Sequence, residues 1–348
     1  MILKKDIINL IRPDLRTIEA YSSARDEFST TGEMVFLDAN ENPFDNGLNR
    51  YPDPYQKKLK ARISEIKNVP VKNILLGNGS DEVIDLIIRL FCKPYEDKAL
   101  IFPPTYGMYK VVCNLNAIEV LEVNLDKDFE IDIKKLKPEL HKNPKLIFVC
   151  SPNNPSGNSI QAKNIEFILE NFDGIVVLDE AYQDFSPQTS WSRLIDKYPH
   201  LIVLQTFSKA YAMAGARLGM CFANPLIIEY LNRIKPPYNI NQLTQIEILK
   251  ALDQKDKVDK QIEILSEERQ KLNQALATVS WIENVYPSDA NFVLIKVDDA
   301  QKRYVELLEQ DIVVRNRHNL PGCKNCLRIS IGTPEENQIL IEALKTLT

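Results

Sequence analysis

The segment Thr206-Phe207-Ser208-Lys209-Ala210-Tyr211 sets one lysine between two hydroxyl side chains and among small or apolar neighbours, with Arg217 eight residues further on. A lysine held in an apolar cleft near a guanidinium loses protonated character, because burial and like charge both disfavour the ammonium form. An amine freed in this way is what an imine-forming nucleophile requires. The hydroxyls of Thr206 and Ser208 together with the Arg217 fork suit a phosphate group. An exposed surface lysine fits poorly with Phe207, Ala210 and Ala212 around it.

Three further clusters carry groups of related chemistry. Asp179-Glu180-Ala181-Tyr182 follows the apolar run 175–178 without a break. A carboxylate at the end of a buried strand is either a helix cap or a site group, and Asp179 and Tyr182 share a face if a helical turn begins there. Ser151-Pro152-Asn153-Asn154-Pro155-Ser156-Gly157 follows another buried strand and stands two amides at its carboxyl end. In parallel α/β sheets that edge is where ligands bind; an Asx-rich loop serving its own backbone is the plainer alternative. Gly77-Asn78-Gly79-Ser80-Asp81-Glu82 joins a strand to a helix. Its glycines allow a tight turn, Ser80 or Asp81 can cap the helix, and the free N–H groups there favour an anion. The segment matches neither the dinucleotide fingerprint nor a P-loop, which disfavours a NAD-dependent enzyme. Cys323-Lys324-Asn325-Cys326 with His318 offers three metal ligands, but no second pair completes a zinc site. It reads as a turn between strands, and no metal is expected.

The elements that must position these groups recur in one order, a short apolar strand, a turn and a helical pattern. The runs 74–76, 99–102, 146–149, 175–178 and 201–204 are continuously apolar, the pattern of strands buried on both faces. With helices between them they predict an α/β fold, a mostly parallel sheet between helical layers. From about residue 250 the pattern changes. Val258, Ile262, Leu265, Leu272 and Leu276 recur at helical spacing among charges, predicting a long helix with a solvated face. Strands are expected over 291–296, 312–315 and 326–331. The division this gives is a segment of residues 1–44 that packs with the C-terminal unit, a large domain of 45–250 and a small α+β domain of 251–348.

A chain of 348 residues is long enough for both domains. Its net charge of −5 argues against a general nucleic-acid binder, though not against a local basic pocket. No apolar run reaches the roughly 18–20 residues of a membrane span, and Met1-Ile2-Leu3-Lys4-Lys5-Asp6 is not a secretory signal. The expectation is a cytoplasmic protein in which Cys92, Cys113, Cys150 and Cys221 serve mainly as small buried hydrophobes.

Asn154, Asp179, Tyr182, Ser208-Lys209 and Arg217 occur in the order and approximate spacing of the fold-type I pyridoxal-phosphate (PLP) aminotransferases of class I/II, and the chain resembles that family along nearly its whole length. The resemblance implies a large PLP-binding domain beside the smaller one. It implies that Lys209 holds the cofactor as a Schiff base and, once displaced by substrate, moves the proton at the substrate Cα. Asp179 then pairs with the pyridinium nitrogen and keeps it protonated, so that the ring accepts electrons. By the same resemblance Asn154 and Tyr182 hydrogen-bond the ring oxygen, and Tyr106 stacks on the ring. The phosphate falls to Gly79, Ser80 and Asp81 with Thr206, Ser208 and Arg217. Tyr51, in Arg50-Tyr51-Pro52, resembles the tyrosine that reaches the phosphate from a partner subunit, which implies a homodimer.

Within that family, residues 37–43, 50–54, 77–82 and 315–333 most resemble the members that move an amino group between L-histidinol phosphate and 2-oxoglutarate in histidine biosynthesis. Histidinol phosphate carries a phosphate and no α-carboxylate, whereas glutamate carries two carboxylates. Planar guanidinium forks accept all of these anions. Strand alternation sends Leu327, Ile329 and Ile331 to one face and Arg328 to the other, free to enter a cleft. The resemblance assigns Arg328 to the substrate anion, with Arg315, Tyr21, Asn40 and Asn154; Arg315, beside Arg317, reads equally well as a surface strand residue. The proline and glycine that usually flank the tyrosine in this family are missing from Glu19-Ala20-Tyr21-Ser22-Ser23. Aromatic amino-acid aminotransferases and threonine-phosphate decarboxylases would share Lys209 and Asp179, so those two residues do not separate the substrates. A PLP-fold transcription regulator would need an appended DNA-binding unit, for which the N-terminal stretch is too short.

Overall fold

The structure, a computed structural model, describes residues 7–19 and 35–347. Seven strands form the larger sheet: β1 (Ile74–Asn78), β2 (Lys98–Ile101), β3 (Glu119–Glu122), β4 (Leu146–Cys150), β5 (Ile175–Asp179), β6 (Leu201–Thr206) and β7 (Leu218–Phe222). They lie in the order β1-β7-β6-β5-β4-β2-β3. β3, β2, β4, β5 and β6 are parallel, and β7 is antiparallel to both β6 and β1. Strand alternation splits each central strand between two apolar layers. Ile147 and Val149 face one layer with the helices Lys57–Lys67 and Ala162–Asn171. Leu146 and Phe148 face the other, with the helices Gly79–Phe91 and Pro225–Ile234. The expected mixed, mostly parallel sheet between helices is the observed one.

The second sheet is antiparallel and has four strands, β8 (Ile282–Val285), β9 (Phe292–Val297), β10 (Arg315–Asn316) and β11 (Cys326–Ser330), in the order β10-β11-β9-β8. The long helix Lys255–Leu276 forms as its periodicity predicts, and Leu272 and Leu276 pack with Leu327, Ile329 and Ile331 on one face of this sheet. The opposite face turns toward the larger unit, where Phe292, Leu294 and Cys326 join its apolar layer. Arg328 lies on that second face.

Three strands were not expected from the sequence. β3 and β8 are edge strands of mixed polar and apolar residues, and their patterns are those of loops. β7 begins with the Leu218-Gly219 that follows Arg217, and a glycine weakens a strand pattern; the burial of all five of its residues comes from its neighbours. The expected strand over 312–315 is replaced by a two-residue strand, Arg315–Asn316, which shares only Arg315 with it. The N-terminal segment also differs from expectation over its described part. Ile7 and Ile11 are buried in the larger unit's apolar layer, the Arg12 N–H donates to the Leu90 carbonyl at 3.1 Å, and the Tyr230 hydroxyl donates to the Arg16 carbonyl at 3.0 Å. Residues 7–18 thus lie against the helices Gly79–Phe91 and Pro225–Ile234 rather than the C-terminal unit, because two isoleucines four apart find more apolar surface there.

Candidate active site

Because β4, β5 and β6 are parallel neighbours, their carboxyl ends meet at one edge, with Cys150 opposite Asp179 and Asp179 opposite Leu204. The chain leaving β4 supplies Asn154, the end of β5 supplies Asp179 and then Tyr182, and the end of β6 supplies Thr206, Ser208 and Lys209. β7 runs the other way, so its start lies at the same edge, Thr206 opposite Gly219, and delivers Arg217. β1 ends there too, with Asn78 opposite Leu218, so the helix Gly79–Phe91 begins over the edge. Topology gathers these residues into one cleft of about 750 Å³, which Ser80, Asp81 and Tyr106 also line.

Gly79 permits the close approach. Its φ is +74°, and a Cβ there would stand 2.4 Å from Arg217 Nη2. No side chain caps the helix that starts at Gly79. The Gly79 N–H itself donates to the Arg217 carbonyl at 2.8 Å. Ser80 and Asp81 of the next turn line the cleft with the hydroxyls of Thr206 and Ser208, which are 3.0 Å apart, and with Arg217, whose Nη2 is 3.6 Å from Asp81 Oδ2. A helix start, two hydroxyls and a guanidinium together suit a phosphate.

Asp179, only 3% exposed, accepts from the Tyr109 hydroxyl at 2.6 Å and from the Ala181 N–H at 3.0 Å. Burial pushes its carboxyl pKa up, and these two donors pull against that rise. A buried carboxylate with no cation bonded to it can take a cationic group from a ligand. Glu180, one residue on, is turned the other way. Trp191 N–H, Gln205 Nε2 and Ser190 Oγ donate to it, and burial raises its pKa to about 7. The two amides after β4 divide likewise. Asn153 ties its own loop, with Nδ2 donating to the Pro104 carbonyl at 2.9 Å and to Ser156 Oγ at 2.7 Å. Asn154 faces the cleft, its Nδ2 donating to Tyr182 Oη at 3.3 Å and its Oδ1 accepting from Arg328 Nη1 at 2.6 Å.

Lys209 lines the cleft, and its exposed surface opens there. Its Nζ is 5.7 Å from the centroid of the Tyr182 ring. Burial first, then the charge of Arg328, lowers its pKa; Asp179 opposes the shift and Arg217 adds a smaller push. The guanidinium that matters most to this amine is therefore Arg328 and not Arg217. Tyr106 donates its hydroxyl to Asp81 Oδ1 at 3.0 Å.

Three arginines form the far wall. Arg315 sits opposite Arg328 across β10 and β11, the Arg317 N–H extends the ladder to the Cys326 carbonyl at 2.9 Å, and all three side chains line the cleft. The Arg328 guanidinium lies 5.2 Å from the Phe292 ring centroid, and burial together with Arg315 lowers its pKa. Among the described residues, Asp81 and Asp179 are the carboxylates that line this cleft, and neither forms an ion pair with the three arginines.

Some expected site residues lie elsewhere. Tyr51 stacks on Tyr238 with ring centroids 4.5 Å apart, is 48% exposed, and lines with Asn40 a separate hollow of about 520 Å³. Within one chain neither residue enters the main cleft. Tyr21 falls outside the described residues. Cys323 and Cys326 are buried in the apolar layer, where their turn carries the chain into β11. Sequence reasoning missed Tyr109 and Arg317. Tyr109 stands three residues after Tyr106, and a helical turn there was the available signal. Arg317 stands two after Arg315, and strand alternation was its signal.

The cradle at the helix start, the buried carboxylate and the amine that opens into the same cleft fit pyridoxal phosphate. Residues 34–344 match the aminotransferase class I and II family, and the chain belongs to it. A histidinol-phosphate aminotransferase from Christiangramia forsetii is 56% identical over 343 residues, with 98% of each chain covered. Among solved structures, the histidinol-phosphate aminotransferase from Clostridium acetobutylicum superposes with a TM-score of 0.80 at 27% identity, over 86% of this chain and 90% of that one. The enzyme of the same name from Sinorhizobium meliloti, solved in complex with pyridoxal-5'-phosphate, shares the fold at a TM-score of 0.77 and 22% identity, over 86% of this chain and 84% of that one. The resemblance read from the motifs thus holds over nearly the full chain.

Proposed function

We propose that this chain catalyses PLP-dependent transamination between L-histidinol phosphate and 2-oxoglutarate, giving imidazole acetol phosphate and L-glutamate, in histidine biosynthesis. The observation that carries the reading is a wall of arginines facing a lysine of lowered pKa, in a chain 56% identical to a histidinol-phosphate aminotransferase. PLP, when bound, supplies an aldehyde carbon for a lysine amine and a ring that accepts electrons.

The chain's own residues supply the rest. Gly79, Ser80, Asp81, Thr206, Ser208 and Arg217 hold the cofactor phosphate, and Asp179 holds the ring nitrogen. Asn154 and Tyr182 serve the ring oxygen and Tyr106 the ring face. Lys209 takes and returns the proton at the substrate Cα, and burial together with Arg328 disfavours its ammonium form. Arg328 and Arg315 hold the substrate anion, with Asn154, Asn40 and Tyr21 completing that site. Asn154 touches both Tyr182 and Arg328, so it links the cofactor end of the cleft to the substrate end.

The active unit is a homodimer in which Tyr51 of the partner subunit closes the cleft. Val35, Leu37, Phe44, Leu48, Leu243 and Tyr51 are exposed large side chains, and a subunit contact would cover such a surface. The domains are a segment of residues 1–44, a cofactor domain of 45–250 and a small domain of 251–348; the two sheets fall on either side of the second boundary. A cytoplasmic location suits six buried cysteines without a disulfide. Among the described residues no helix is long and apolar enough to cross a membrane.

The test is turnover by the PLP-loaded protein. Histidinol phosphate with 2-oxoglutarate should give glutamate at a higher kcat/KM than phenylalanine does. Preference for phenylalanine, or release of CO2 from threonine phosphate, overturns the reading.

A further inference from the structure

We infer that Arg317 is a third anion-binding residue of the substrate site, and that it serves the phosphate of the amino donor rather than a carboxylate. The inference rests on the transamination reading above.

Register brings Arg317 to the site. Arg315 is opposite Arg328, and the next bond of the ladder joins the Arg317 N–H to the Cys326 carbonyl. Residues directly opposite in an antiparallel pair project to one face, as do residues two apart on a strand. Arg315, Arg317 and Arg328 therefore emerge together on the face turned toward Lys209, while Leu327 and Ile329 pack on the other.

Arg317 differs from its two neighbours in its hydrogen bonding. Its Nε is buried and has no hydrogen-bond acceptor. A buried N–H without a partner is costly, and the cost is relieved when a ligand brings an oxygen to it. No carboxylate is at hand to do so. Of the two that line the cleft, Asp81 lies beside Arg217 and Asp179 is held by Tyr109. Burial, Arg328 and Arg315 together push the Arg317 guanidinium down to about 10, the sign of a cation that lacks its counter-ion.

The number of forks then selects the anion. One bidentate guanidinium saturates the two oxygens of a carboxylate. A phosphate monoester presents three oxygens and a charge near −2, and it can engage three guanidinium groups at once. Three arginines converging without an acid among them match a phosphate, whereas the two carboxylates of glutamate are spaced along its chain.

The experiment compares the two half-reactions of the PLP-loaded enzyme, one with L-histidinol phosphate and one with L-glutamate, in the unsubstituted protein, R317Q and R317K. For R317Q the expected result is a loss of kcat/KM of roughly 10- to 100-fold for histidinol phosphate, carried mainly by KM, with glutamate changed less than about threefold. A normal glutamate half-reaction also reports an intact fold. R317K retains the charge without the fork and should lose roughly three- to tenfold on histidinol phosphate alone, which keeps the inference testable if R317Q does not fold. Equal losses on both substrates, or no loss on either, overturn the inference. Failure of the unsubstituted enzyme to react with histidinol phosphate overturns the functional reading and this inference with it.

Discussion

Replacing Gly79 with alanine separates two effects that meet at the start of one helix. A Cβ at a φ of +74° costs about 1–2 kcal/mol in the left-handed region. Alanine also restricts the unfolded chain, which returns about 0.4–1 kcal/mol. The net loss of stability should be about 1 kcal/mol. The clash is a separate matter. The new Cβ would sit 2.4 Å from Arg217 Nη2, against an ordinary contact of about 3.5 Å. That nitrogen is the mobile end of a long side chain; it approaches Asp81 at 3.6 Å, while Nη1 of the same guanidinium donates to the Ala214 carbonyl at 3.3 Å. The guanidinium therefore moves by about 1 Å while the backbone stays. A displaced fork forfeits a charge-assisted hydrogen bond of about 1.5–3 kcal/mol, which raises the PLP dissociation constant roughly 10- to 100-fold. Titrating PLP into cofactor-free protein reads the affinity, and urea denaturation of the same protein reads the stability. In an Arg217→Ala background the same glycine substitution should still cost about 1 kcal/mol of stability, yet should add little to the loss of affinity. An undiminished second loss of affinity there would refute the argument, as would a Gly79→Ala protein that binds PLP as tightly as before.

Three further outcomes are expected. Lys209→Ala should abolish transamination and leave PLP removable by dialysis, because no amine remains to hold it; normal turnover by this variant contradicts the assignment. Burial raises the Glu180 pKa to about 7, above an unfolded value near 4.3, so ionisation opposes folding. The penalty is absent below about pH 4 and complete above pH 7, where it reaches at most about 4 kcal/mol. Glu180→Gln does not ionise and should gain on the parent protein between pH 5 and pH 8 in urea denaturation; parallel pH profiles count against it. If Tyr51 of the partner subunit closes the cleft, mixing inactive Lys209→Ala with a poorly active Tyr51→Ala should restore about a quarter of parental activity, since each hybrid carries one intact site. A mixture no more active than its components refutes the shared site.

The legible parts of this chain were those in which one residue type has few alternatives. Continuous apolar runs announced β4, β5 and β6, because a strand buried on both faces tolerates little else. The groups at their carboxyl ends were legible for the same reason, a polar residue directly after such a run having to leave the core. What stayed hidden depends on neighbours far away in sequence. Tyr109 reads as an aromatic on an amphipathic helix, and only the fold brings its hydroxyl to Asp179. β7 became a strand because β1 and β6 flank it. The docking of Ile7 and Ile11 on the larger unit was invisible, since an apolar pair four apart specifies a face but not the surface it meets.

Neighbouring polar residues in this site divide their work by direction. Asn153 and Asn154 are adjacent amides, yet one closes its loop while the other joins Tyr182 to Arg328. Asp179 and Glu180 are adjacent carboxylates, yet one meets the cleft and the other anchors the 190–191 turn. One pair follows β4 and the other closes β5, where the chain leaves the sheet and consecutive side chains diverge. One member of each pair fixes the loop so that its neighbour keeps its aim. The arrangement also sets how the two ends of the cleft communicate. Arg328 gives Nη1 to a neutral amide oxygen at 2.6 Å, and a guanidinium has further N–H donors for an arriving anion. Asn154, whose Nδ2 donates to Tyr182 at 3.3 Å, therefore stands one side chain away from both, and the two ends of the cleft are joined through a single amide.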